Sequence, residues 1–101
     1  MASVFKALSD PTRRRVLQLL RERPLTAGEL ASHFPHSKAT MSSHFSVLRE
    51  ADLIDADKHG ASITYRLRLS VLEDALLAFA ESLGIGLMER AAHSNDEKAT
   101  R

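Results

Sequence analysis

The chain has 101 residues, 44% apolar and 27% charged, with a formal net charge of +1; this size suits one domain with a modest core that oligomerisation would reinforce. It contains no cysteine, which excludes disulfides, thiolate metal centres and thiol redox switches, and its apolar runs of a few residues are too short to span a membrane. The opening MASVFKALSD has neither a basic leader nor a long apolar stretch, so a cytoplasmic location is expected.

Val4, Phe5, Ala7 and Leu8 fit a short amphipathic helix. DPTRRRVLQLLRE follows as a second helix, with Asp10 placed to cap it and Pro11 suited to its first turn. Val16, Leu17, Leu19 and Leu20 supply its inward face, and Pro24 breaks the pattern. TAGELASHF reads as a third, short helix opened by a Thr26–Glu29 capping box, with Leu30, Ala31 and Phe34 inward and Pro35 at its end. The connection PHS has about the length that a helix-turn-helix requires.

In SKATMSSHFSVLREADLI, Ser37 is the expected N-cap and Met41, Phe45 and Leu48 form one buried stripe. Ala39, Ser42, Ser43 and Ser46 fall on the opposite side, with Thr40 and Val47 at its edge. Asp52 stands where a left-handed residue would stop the helix. LIDADKHGASITYRLRL reads as a β-hairpin turning near Gly60. Ile63, Tyr65, Leu67 and Leu69 alternate with polar residues, which puts Arg66 and Arg68 on one face. SVLEDALLAFAESLGIGLMERAA is a longer helix with a Ser70–Glu73 capping box. Val71, Leu72, Ala75, Leu76, Phe79, Ala80 and Leu83 form its apolar stripe, and Gly84 and Gly86 should weaken its continuation. The expected architecture is mainly α with a two-stranded β wing: a winged helix-turn-helix over residues 1–92 and a polar, disordered tail over 93–101.

Charge is unevenly spread: +3 over residues 1–36, +1 over 37–68 and −3 over 69–92. This is a mild sign of one electropositive face. The opening of the fourth helix carries the chemistry. Short hydroxyl and methyl side chains allow a helix to approach bases closely, hydroxyls donate to phosphates or base edges, and the helix N-terminus favours phosphate. Taken alone, those residues fit an ordinary capped and solvated face. The short capped helix before them, the tight turn and the basic hairpin after them favour double-stranded DNA.

VFKALSDPTRRRVLQLL, LTAGELASHF, SKATMSSHFSVLREADLI and ITYRL together resemble the ArsR-type winged-helix transcriptional repressors, and most closely their SdpR-like branch, over about Val4 to Leu83. The resemblance implies a homodimer packed through the first and last helices, with Val4, Phe5, Leu8, Leu72, Leu76, Phe79 and Leu83 in the interface. It implies repression at an operator, often of the repressor's own operon, and a two-fold dimer implies a pseudo-palindrome with half-sites about one turn, ~10 bp, or a multiple apart. The expected DNA-contacting residues are Ser37, Lys38, Ala39, Thr40, Ser42, Ser43, His44 and Ser46 on the helix, and Lys58, His59, Arg66 and Arg68 on the hairpin. His44 matches the family's recognition-helix histidine and is expected partly buried, orienting the helix.

Metal-sensing members use cysteines near the recognition region, or carboxylate and histidine sets on the last helix. Here cysteine is absent and residues 70–92 hold Glu73, Asp74, Glu81 and Glu89 without a histidine, His93 standing just beyond. No metal and no cofactor is therefore expected, although a His/carboxylate metal-responsive repressor stays a lesser alternative. His33 and His36 straddle Pro35 and fit solvent or capping roles better than a ligand pair. Arg13, Arg14 and Arg15 point about 100° apart and cannot form one patch; most are read as solvated. Catalysis is not expected, since no nucleophile–base spacing, glycine-rich phosphate loop or metal cluster is present. A winged-helix protein-interaction module is the alternative from another class, and release by an inducer or an anti-repressor protein is left open.

Overall fold

The computed structural model describes residues 3–87; the expectations for residues 88–92, for the tail and for His93 lie outside them. The chain forms two compact units, one through Val71 and one from Leu72. In the first, α1 (Val4–Leu8) is capped by the Ser3 hydroxyl, and α2 (Pro11–Glu22) begins at Asp10, whose carboxylate accepts the Arg13 amide at 3.1 Å. Pro24 forces Arg23 into an extended conformation (φ −170°, ψ 162°), which ends α2.

The extended backbone continues as β1 (Leu25–Thr26), a strand that the sequence pattern does not indicate. It is followed by α3 (Ala27–Ala31), α4 (Lys38–Glu50), β2 (Ile54–His59), β3 (Ser62–Leu67) and α5 (Leu69–Ser82). The sheet is antiparallel in the order β1-β3-β2, so the expected two-stranded wing is extended by a third strand at its base. Leu25 pairs with Tyr65 and Thr26 with Thr64, while β2 and β3 pair from Ile54–Leu67 to His59–Ser62. Two residues carry no periodicity; what makes β1 a strand is the buried Leu25 set opposite Tyr65.

The Thr26–Glu29 capping box forms as the sequence indicates. The Thr26 hydroxyl accepts the Glu29 amide at 3.1 Å and the Glu29 carboxylate accepts the Thr26 amide at 2.9 Å. The amide and then the hydroxyl of Thr26, with Arg23 nearby, hold the Glu29 carboxyl below its ordinary range. Replacing Thr26 by Ala removes the acceptor and should lower stability by about 1 kcal/mol, measured as a lower urea midpoint with unchanged slope. The helix ends at Ala31, earlier than Pro35 suggests, because Ser32–Phe34 tighten into turns with i→i+3 bonds from His33 to Leu30 and Phe34 to Ala31.

The core of this unit lies between α2, α3, α4 and the sheet. Val16, Leu30, Leu48 and Leu53 are fully enclosed, Met41 and Phe45 nearly so, and the Phe45 ring meets Tyr65 at 4.7 Å between centroids. Each such aliphatic or aromatic side chain stabilises by about 1.5–3 kcal/mol on burial. Enclosure also pushes the Tyr65 phenol up, against a smaller opposing influence of Arg49. The end of α4 is a Schellman turn: Leu53 donates to the Leu48 carbonyl and Asp52 to that of Arg49, with Asp52 left-handed at φ 60° as expected.

Two expectations at the last helix need correction. Leu69 belongs to α5, not to the hairpin alternation, because β3 ends at Leu67. Ser70 therefore sits inside the first turn instead of at the cap, so the expected Ser70–Glu73 capping box does not open this helix. In the second unit α5 stops at Ser82. Gly84, at φ 76°, closes it with another Schellman turn, Ile85 donating to Ala80 and Gly84 to Glu81. Of the apolar stripe only Ala80 is buried; Leu76 is 41%, Phe79 48% and Leu83 60% exposed. No described helix is long and apolar enough to cross a membrane.

Candidate nucleic-acid interface

The 13 residues of α4 divide by face. Met41, Phe45 and Leu48 are turned into the core, His44 and Val47 are half-buried, and Lys38, Ala39, Thr40, Ser42, Ser43 and Ser46 are exposed. The helix thus presents ammonium, methyl and hydroxyl groups on a rigid, buried seat. Ser37 has a prior duty: its hydroxyl oxygen accepts the Thr40 amide at 3.1 Å, and its proton goes to the Thr40 hydroxyl oxygen at 2.9 Å. With that oxygen accepting, the Thr40 hydroxyl keeps its own proton for an outside acceptor such as a phosphate or a base edge. Ser37 acts here as a cap.

Lys38 and the wing meet in one open cleft lined by Lys38, Thr26, Gly28, His59, Ser62 and Ile63. The start of α4 and the tip of the hairpin therefore lie on the same side of this unit. The tip is not uniformly basic. His59 Nε2 sits 3.0 Å from the Asp57 carboxylate, while Lys58 is exposed. Arg66 is exposed opposite Asp55 in the ladder. Arg68 lies just past the end of β3, its amide still donating to the Leu53 carbonyl at 2.9 Å, and its guanidinium stands between Asp52 at 3.9 Å and Asp55 at 3.8 Å, the residue opposite Arg66. Two carboxylates offset its charge at the base of the wing.

The arginine triplet also differs from a solvated run. Arg13 Nε donates to the Ala7 carbonyl at 2.8 Å and Nη2 to that of Lys6 at 3.1 Å; Arg14 Nη1 donates to Leu8 at 2.7 Å. These guanidiniums fill the Ala7 and Leu8 carbonyls at the C-terminus of α1 and add to the Lys6 carbonyl, which Ser9 already caps. Only Arg15, bonded to Gln18, fits the simple surface reading. Arg13 Nη1 also lies 3.2 Å from His44 Nδ1, whose side chain is 15% exposed. His36 is drawn into the same region by a 3.1 Å contact with the Thr12 hydroxyl and by stacking on Phe34. Among the described residues no three His, Asp or Glu side chains are grouped to hold a metal.

A helix-turn-helix domain profile matches residues 8–56, which run from the end of α1 through α4 into β2. The transcriptional repressor SdpR of Bacillus subtilis is 45% identical, over 75% of this chain and 84% of that protein. Among solved structures, an ArsR family transcriptional regulator superposes with a TM-score of 0.69 at 33% identity, covering 78% of this chain and 84% of the other. The chain belongs to the ArsR family of winged helix-turn-helix transcriptional regulators. A second solved member, described as a possible regulator for arsenical resistance, superposes with a TM-score of 0.70 at 37% identity over 88% of this chain and 92% of its own. For this ArsR-family chain, α3 and α4 are the helix-turn-helix pair, α4 is the recognition helix, and β2 with β3 is the wing. It is a DNA-binding regulator and not an enzyme.

Proposed function

We propose that the chain is a cytoplasmic, dimeric repressor that occupies a pseudo-palindromic operator in its own or a neighbouring operon. The observation that carries this reading is the row of exposed Lys38, Ala39, Thr40, Ser42, Ser43 and Ser46 on α4, with Lys38 and the wing residue His59 lining one cleft. Phosphate contacts from Lys38, Lys58 and the hydroxyls position the helix, and Thr40, Ser42 and Ser43 read base edges. Arg66 adds charge along the wing; Arg68, held between carboxylates, contributes less than its position in the sequence suggests.

Dimerisation is supported by the apolar side chains that α5 leaves in contact with solvent in a single chain, among them Leu76 and Leu83. A second copy would bury them, with Val4, Phe5, Leu8, Leu72 and Phe79 completing the interface. A two-fold dimer would place two recognition helices about one DNA turn, ~34 Å, or a multiple of it apart.

The test is fluorescence anisotropy of the purified protein on a duplex taken from directly upstream of its own coding sequence, against a scrambled duplex, at two salt concentrations. Two chains per duplex, preference for the native sequence and affinity falling steeply with salt are expected. Equal affinity for both duplexes would remove the sequence-specific reading. Absence of binding at low salt would favour a protein-interaction role for the α4 surface.

A further inference from the structure

His44 lies on the half-buried flank of the recognition helix, one residue after the exposed Ser43. Its Nδ1 is 3.2 Å from Arg13 Nη1 and 3.9 Å from Asp10 Oδ2. Arginine has no acceptor and does not lose its proton. As a hydrogen bond, the Arg13 contact needs a lone pair on Nδ1, which is the neutral ring with its proton on Nε2. The same guanidinium is bonded to the carbonyls of Lys6 and Ala7. One side chain thus joins the C-terminus of α1, the first turn of α2 and the middle of α4.

Protonation changes what each neighbour can do. A proton on Nδ1 removes the acceptor and sets imidazolium against guanidinium. The Asp10 carboxylate lies within a small ring movement of the same nitrogen and can accept that proton in a hydrogen bond. Burial opposes ionisation of Asp10, but the Arg13 and Thr12 amides and the charge of Arg13 outweigh it, with a charged His44 adding to them, so its carboxyl stays below the ordinary range. The other titratable ring nearby is His36, 6.2 Å away between centroids and tied to Thr12. α1, which also packs on α4, brings Lys6, and β2, which packs on α4, brings Asp55, already set toward Arg68.

We propose that Arg13 and His44 form a proton-operated latch on the recognition helix. With His44 neutral, Arg13 ties α4 to α1 and holds Ser42 and Ser43 in register for base contact. With His44 charged, the ring exchanges Arg13 for Asp10 and α4 loses that tie. Arg13 and His44 are positioning residues, and selective DNA binding is weaker on the acid side of the histidine range. The direction follows from linkage: the selective complex favours the form with one proton fewer, so its affinity rises with pH.

The inference rests on the DNA-reading role proposed for α4, and the experiment separates the two. The ratio of affinities for the upstream and scrambled duplexes is measured from about pH 8 to about pH 5.5, at fixed ionic strength, for the wild type and for His44→Asn. Asparagine keeps an acceptor near the Nδ1 position and does not titrate. Each protein is normalised to its own value at the alkaline end. The wild-type ratio should fall about tenfold, the loss of one hydrogen bond to a charged group, and that of His44→Asn should stay flat, leaving only what the other four histidines contribute to both. Parallel profiles overturn the latch. A second reading, on the wild type without DNA, uses nitrogen-15 NMR of the ring. It should report the Nε2–H tautomer at the alkaline end and loss of the slowly exchanging Arg13 guanidinium signal on acidification. An Nδ1–H tautomer, or a guanidinium signal that does not change, overturns the proposal even if the variant fails to fold. Absence of duplex preference at every pH would sink the DNA-reading role instead, and the ring spectrum would still decide the latch.

Discussion

Replacing Ser42 and Ser43 together by glutamate should abolish selective operator binding while leaving the protein folded. Both residues are exposed, on the side of α4 away from Met41, Phe45 and Leu48. Surface changes of this kind alter stability by no more than about 0.5 kcal/mol, and glutamate is a better helix former than serine. The effect on DNA is of another size. Each substitution removes a short donor and sets a carboxylate against phosphates or base acceptors. A like-charge contact at about 4 Å opposes binding by roughly 1 kcal/mol in water and about 4 kcal/mol where water is largely excluded. Two such contacts, with the lost hydroxyl bonds, weaken the complex at least ~100-fold. The comparison is with Ser42→Ala, which removes a donor without adding charge and should cost only a few-fold. Circular dichroism and sedimentation of the double variant should match the wild type. If it binds the native duplex with undiminished preference, the reading surface is not the exposed face of α4.

Much of that face is legible in the sequence, because its determinants are local. Ser37 as cap, the Met41–Phe45–Leu48 stripe and the left-handed Asp52 each follow from residues within one or two turns of one another. The Thr26–Glu29 box is local in the same sense. What the local pattern leaves out depends on tertiary placement. β1 is two residues long and exists because β3 lies beside it, so its signal sits 40 residues away, in Tyr65 paired with Leu25. Arg13 and Arg14 look like surface charge until α1 is seen to end beside them with the Ala7 and Leu8 carbonyls turned to their guanidiniums. The break at Ser9–Asp10–Pro11 between two helices is the available hint, since a helix end needs donors for its last carbonyls. Leu69 departs from expectation for a related reason: the period-two pattern runs on past Leu67, but the last bond across the hairpin is from the Arg68 amide to the Leu53 carbonyl, and the chain then turns into α5. The stripe on α5 is legible as apolar. Which surface covers it is a property of a second element or a second chain, and that information is not in the stripe.

The other large effect lies behind the reading face, at Leu48. Its side chain is fully buried, and its carbonyl accepts the Leu53 amide at 3.0 Å in the turn that leads from α4 into the wing; Leu53 is fully buried as well. Leu48→Ala removes three carbon atoms from a position where α4, the turn and β2 come together. Such truncations cost about 2–5 kcal/mol, according to how far the surroundings collapse into the space. A domain of this size holds only about 5–15 kcal/mol in total, so a loss near 3 kcal/mol should lower the thermal midpoint by more than about 10 °C. Ser46→Ala, on the exposed side two residues earlier, should stay within about 0.5 kcal/mol. The pair separates the two roles of one helix. Leu48→Ala lowers stability first and DNA binding only in proportion to the unfolded fraction and the loosened seat, whereas Ser46→Ala leaves stability alone and touches DNA binding directly. Urea unfolding of both variants measures the contrast. A cost below about 1 kcal/mol for Leu48→Ala would mean that the turn and β2 close over the vacancy, and that the seating of α4 depends chiefly on Met41, Phe45 and the Arg13–His44 contact on its other flank.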